Sequence, residues 1–134
     1  MLKKSIIIIC ITFSFTGNSQ TLKTIEDIET AHQECLDRGE NMNGCSEEYY
    51  AKADNLLNTT YKKVKLKLSA SEQSILKAEQ LKWIKKRDKY FQKVYLDTKR
   101  EGEFGEGSSG FNMIVTDLQA KFVMDRVKTL IKRL

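Results

Sequence analysis

The chain's 134 residues, 40% of them hydrophobic and none of them proline, suffice for one domain with one core and little to spare. Its formal charge of +5 is modest, but residues 20–58 hold nine acidic and three basic side chains, whereas residues 59–134 hold nine acidic and eighteen basic ones. Each half can steer a partner of opposite sign, and the apolar run Ile6 to Phe15 is too short for a bilayer span of about 20 residues.

That apolar run reads instead as part of a leader. Lys3 and Lys4 precede it and the small residues Gly17-Asn18-Ser19 follow, which is the secretory signal pattern. Residues 1–19 are therefore expected to be a signal peptide cleaved after Ser19. Residues 20–134 remain as a single domain, periplasmic or secreted, with no transmembrane segment. Acylation at Cys10 is disfavoured, because Ile9 stands where a small residue should precede the modified cysteine.

Leu22, Ile25, Ile28 and Ala31 repeat every three residues and predict a first helix ending near Cys35. Without Cys10, Cys35 and Cys45 form an even pair in an oxidising compartment. A disulfide between them closes a short loop worth about 3 kcal/mol in the chain-entropy model. Metal binding is the weaker reading, since these cysteines with His32 give too few soft ligands for a closed zinc site.

A second helix is expected from Ser46, a cap residue with Glu47 and Glu48 in the first turn. Tyr49, Ala53, Leu56, Leu57, Tyr61, Val64 and Leu68 lie along one side of it. Ser69 or Ser71 should cap a third helix running to about Thr98, with Leu76, Trp83, Ile84, Phe91, Val94 and Tyr95 as its apolar stripe. Glu101 to Gly110 is too rich in glycine to stay helical. A fourth helix runs from about Asn112 to the end, with Ile114, Val115, Leu118, Phe122, Val127, Leu130 and Leu134 inward. No alternating strand pattern exists, so the fold class is all-α: a small bundle of three to four helices with a central antiparallel helical hairpin and one disulfide.

Gly105-Glu106-Gly107-Ser108-Ser109-Gly110 matches the dinucleotide fingerprint letter for letter, yet a helix precedes it where the fingerprint needs a strand. It reads as a helix–helix connection, and no cofactor is expected. More telling are polar groups on inward faces. Asp54, Asn58 and Tyr61 share one stripe of the second helix, and Gln80, Trp83, Arg87 and Tyr90 share one on the third, with Asp88 beside them. Packed antiparallel, the two helices would bring Tyr61 level with Gln80 and Asp54 level with Arg87. A buried polar network that fixes register is then expected. Asp54 and Asp88 could pair as catalytic carboxylates, but Arg87 makes salt bridging simpler. His32 has no serine–aspartate arrangement visible in the sequence. The chain is therefore not expected to be an enzyme.

Cys45, Ala53-Asp54, Leu57-Asn58, Tyr61, Gln80, Trp83-Ile84 and Arg87-Asp88, with Arg126 and Leu130 later, together resemble the LprI-like family. These are small exported bacterial domains named for a lysozyme inhibitor lipoprotein. The resemblance covers roughly Cys35 to Leu134. Members often carry a second pair of cysteines; here Phe91 stands at the first of those positions and no cysteine follows. The resemblance implies a helical, disulfide-bearing envelope domain, with inhibition of lysozyme the named activity of one relative. The leading expectation is an exported envelope binding module acting by protein–protein contact, with lysozyme inhibition as its candidate activity.

Lysozymes of the animal type are cationic, so an inhibitor should present acidic groups. Glu34, Asp37, Glu40, Glu47 and Glu48, around the disulfide loop, form the candidate partner surface, and lysozyme or another envelope protein the candidate partner. The alternative is a structural or adaptor protein of the envelope. There the lysine-rich helices from Lys62 to Lys93 would meet anionic polymer, lipid or another protein. Nucleic acid is not expected as a partner of an exported chain.

Overall fold

The computed structural model describes the backbone of residues 16–134 and side chains from residue 19 onward. The charged and apolar parts of the expected leader, Lys3 to Phe15, lie outside the described residues. Four helices follow one another: α1 (Thr16–Asp37), α2 (Met42–Leu66), α3 (Ala70–Glu101) and α4 (Ser109–Ile131). The described residues are otherwise turns and loops, in agreement with the all-α expectation.

Helix starts follow from capping. Ser69 accepts a hydrogen bond from the backbone N–H of Glu72, whose carboxylate bonds back to the Ser69 N–H, a complete capping box. Ser108 caps α4 through the backbone N–H of Phe111 at 3.2 Å. The start of α2 differs from expectation. Asn41 is the cap, at a φ of 45° that asparagine tolerates better than most residues, and Ser46 lies one turn inside the helix. Glu47 and Glu48 thus fall in its second turn.

Direction can be read from side-chain pairs. Glu29 meets Lys128 and His32 meets Asp117, so α1 runs antiparallel to α4. Gln80 meets Arg126 and Tyr95 meets Phe111, so α3 is antiparallel to α4 as well. Lys67, just past α2, donates to the carbonyl of Leu134, just past α4. The second and fourth helices are therefore parallel, and they form the most extensive packing in the bundle.

Residue size explains that pairing. Ser46, Ala53 and Thr60 repeat at seven-residue intervals on α2 and are all but sealed from solvent; Ala120, Val123 and Val127 are equally closed on α4. Small side chains along a seam let two backbones approach, and the larger Leu57, Val64, Met124 and Leu130 fill the space beside it. Two costs follow, since the hydroxyls of Ser46 and Thr60 are buried without a hydrogen-bond partner among the described residues. Each such group costs about 1–3 kcal/mol, so size outweighs polarity here. Leu22, expected inward on α1, is 53% exposed, while Thr21 and Ile25 are buried instead.

The connection between α2 and α3 is the short turn Lys67 to Ser69, but the two helices make few close backbone contacts. Tyr50 and Phe91 bridge them edge to face, with ring centroids 6.1 Å apart. α3 leans mainly on α4, where Phe122 stacks on Tyr90 at 4.4 Å and lies 5.8 Å from Trp83. The glycine-rich stretch is a connection. Gly102, at a φ of +68°, ends α3, and the ring of Phe104 lies where a Cβ on Gly110 would sit. Glu106, within the fingerprint, hydrogen-bonds Tyr95 and Lys99, which leaves no phosphate cradle there.

Candidate functional site

One end of the bundle is built by the last turn of α1, the loop 38–41 and the first turns of α2. The disulfide Cys35–Cys45 ties these pieces together with Cα atoms 5.8 Å apart. Glu34, Asp37, Glu40, Glu47 and Glu48 are all exposed on this tied end. Their local engagements differ. Asp37 accepts a hydrogen bond from Gln33 at 2.8 Å and Glu47 one from Asn43 at 2.9 Å. Glu48 forms an ion pair with Lys52 at 2.6 Å; the hydrogen bond from Lys52 holds its carboxyl below the ordinary value, with a smaller contribution from Arg38. The carboxylates of Glu34 and Glu40 have no ion-pair partner among the described residues. A small open groove of about 190 Å³ beside the disulfide is lined by Glu34 and Glu48 on the acidic side and by Arg38 and Lys52 on the basic side.

Behind this surface lies a cluster that the sequence does not disclose. His32 stacks flat on Tyr49, with ring centroids 4.3 Å apart, and its Nε2 lies 2.5 Å from Asp117 Oδ1. Asp117 also holds Lys121 at 2.7 Å. The only sequence signal is that His32 continues the inward spacing of Ile25 and Ile28; its partner is 85 residues away. Burial pushes the Tyr49 phenol well above its ordinary value, and nearby Glu29, Asp117 and Asp125 add to the shift. A second open groove of about 400 Å³ flanks the stack on its other side, with Glu29, Asp125, Lys121 and Lys128 around it.

This cluster is not arranged for nucleophilic catalysis. Nε2 of His32 is engaged by Asp117, and Nδ1 is buried without a partner. The two cysteines among the described residues are joined to each other. Among the described residues no group of three His, Cys, Asp or Glu side chains is placed to hold a metal ion. The cluster fastens α1 onto α2 and α4 directly beneath the acidic end.

The polar network expected between α2 and α3 is rearranged. Asn58 and Asp88 are exposed, and the others are half-buried rather than enclosed. Asp54 accepts a hydrogen bond from Asn58 of its own helix at 3.4 Å, and Arg87 pairs with its neighbour Asp88 at 2.7 Å. Gln80 accepts two hydrogen bonds from Arg126 of α4, at 3.0 and 3.1 Å, instead of meeting Tyr61. The reason is packing: α3 docks on α4, so its polar residues find partners there or beside themselves. Burial raises the Tyr50 phenol, with Asp54 adding to the rise and Arg87 opposing it. Burial lowers the Arg126 guanidinium, and Tyr61 is among the groups whose charge it feels. Trp83 sits between two guanidinium groups, Arg87 at 5.8 Å and Arg126 at 5.9 Å from its ring centroid.

Those same residues (the disulfide, the α2 stripe, Gln80 to Asp88, and Arg126) fall within the segment 31–130, which matches the family model described as lysozyme inhibitor LprI. The chain belongs to the LprI family. The match covers most of the chain and leaves out only the N-terminal region and the last four residues. No curated protein and no solved structure shows a significant match. Within this LprI-family fold, the Gln80–Arg126 bond and the aromatic contacts of Trp83 show what the family-like residues do: they fasten α3 to α4. No helix among the described residues is long and apolar enough to cross a membrane.

Proposed function

We propose that this LprI-family chain is an exported envelope protein that inhibits lysozyme by direct contact, using the acidic surface at its disulfide end. The observation that carries the reading is the family match combined with five exposed carboxylates on one end of the bundle, fixed in place by the Cys35–Cys45 bridge. Like charges gathered on a rigid platform raise the encounter rate with a cationic protein and discriminate against anionic ones. Glu34, Asp37, Glu40 and Glu47 have no ion-pair partner among the described residues, whereas Lys52 and Arg38 offset Glu48. Signal cleavage after Ser19 belongs to the same proposal. It would remove the first four residues of α1, a full turn, and leave the buried Thr21 and Ile25 in place.

Lysozyme activity is measured with the purified mature chain over a range of salt concentrations, beside the double variant Asp37→Lys/Glu40→Lys. Inhibition should weaken as salt screens the approach, and the double variant should lose at least tenfold in potency, about 1.4 kcal/mol. Full inhibition by that variant would remove the loop from the mechanism, and absence of inhibition by the unaltered chain would remove the function.

A further inference from the structure

α3 spans 32 residues, about 48 Å at 1.5 Å per residue, and only one side of it is occupied by α4. Its opposite side carries Ile75, Lys82, Lys85, Lys89, Lys93 and Leu96, which a helical repeat places on one outward strip. Acidic side chains border the strip but are engaged: Glu79 by Arg133, Asp88 by Arg87, and Asp97 by both Lys93 and Arg100. Lys82, Lys85 and Lys89 have no ion-pair partner among the described residues, so the centre of the strip is an uncompensated row of cations. Two apolar side chains stand at its ends, Ile75 at 57% and Leu96 at 52% exposure, and Leu81 at 53% lies beside it.

We propose that this strip is a docking face for an anionic phospholipid bilayer. Three properties favour a lipid surface over other anions. The face is the convex outer side of a single helix, so it presents its cations to a plane rather than enclosing a chain. Its lysines can lay their apolar stems along the interface while the ammonium groups meet lipid phosphates. The exposed isoleucine and leucines gain by entering the acyl boundary, whereas a soluble polyanion offers them nothing. α3 thus lies flat on the membrane. The acidic end is built from α1 and α2, outside the strip, so the two surfaces use different residues.

The test is sedimentation of the purified protein with vesicles of equal parts phosphatidylglycerol and phosphatidylcholine, compared with pure phosphatidylcholine. Three variants of the exposed strip are compared: Lys82→Glu/Lys85→Glu/Lys89→Glu, Ile75→Ser/Leu96→Ser, and all five changes together. Circular dichroism verifies that each remains helical. The protein should partition onto the anionic vesicles only. The triple charge reversal should lower partitioning at least ~tenfold, the apolar pair by ~threefold or more, and lysozyme inhibition should be unchanged in all. Failure of the unaltered protein to sediment with anionic vesicles would overturn the proposal, as would charge reversal without effect. Binding that ignores the apolar pair and is matched by long-chain polyphosphate would also overturn it, assigning the strip to a soluble polyanion.

Discussion

The α2–α4 seam and the α3–α4 contact bury side chains by opposite means. Along the seam, small residues bring two parallel helices together, and Ala53, Val64, Ala120, Val123, Val127 and Leu130 retain no exposure at all. α3 buries only Leu76, Val94 and Thr98, and of these only Leu76 completely, and it reaches its neighbour through large rings: Trp83 and Tyr90 stacked on Phe122, with Phe91 at its edge. A seam of small residues has no slack, because any change of volume must move a backbone. A contact made by ring edges and long polar side chains can loosen step by step. The bundle therefore combines a rigid parallel pair with a long helix held at discrete points, and its two charged surfaces divide along the same line.

The largest test of that contrast is Leu130→Ala. Leu130 is fully buried beside the seam, and its truncation should cost about 2–5 kcal/mol, read as a lower urea midpoint at unchanged slope. The same truncation at Leu81, 53% exposed on α3, should stay within about 0.5 kcal/mol. Equal losses at the two sites would erase the distinction.

Phe122→Ala comes next and should sharpen the contrast. This ring is the point where Trp83, Tyr90 and Phe91 converge. Being half-buried, it should cost less than a sealed side chain, about 2–3 kcal/mol. Its signature should be regional: amide exchange accelerates in α3 from about residue 83 to residue 94, while residues 53–64 of α2 keep their protection. Exchange rising equally in both helices would mean that α3 is integral to the seam.

How far these features were legible varies with the range of the interaction that makes them. Four helices, their approximate ends and the Cys35–Cys45 bridge follow from local signals: capping serines, apolar spacing and an even cysteine pair. The Ser46 cap was misplaced because serine suits a helix start and a tight seam alike, and only the partner helix decides between them. The expected partnerships of Asp54 with Arg87 and of Tyr61 with Gln80 rested on helix geometry alone, and Asp54 bonds Asn58 while Arg87 bonds Asp88 instead. The actual bonds were not legible, since Arg126 of α4 takes Gln80 and nothing in the order of helices says which pair packs closest. His32 with Asp117 was beyond reach for the same reason. The acidic end was legible as composition, because its carboxylates are neighbours in sequence.

The smallest effect separates the regions by their tyrosines. The phenols of Tyr49 and Tyr95 are both raised, but for different reasons: burial first for Tyr49, a hydrogen bond to Glu106 first for the exposed Tyr95. A phenol raised in the folded state gives stability that is intact below its ordinary value of 10.0 and lost as pH rises through the folded value. In an absorbance titration, Tyr49 should remain un-ionised past pH 10 until the bundle opens. Glu106→Gln should return Tyr95 toward ordinary behaviour and leave Tyr49 untouched, since the charges that raise Tyr49 are Glu29, Asp117 and Asp125. Glu106→Gln shifting both tyrosines would show that the glycine-rich connection is coupled to the seam, and that the two regions are one.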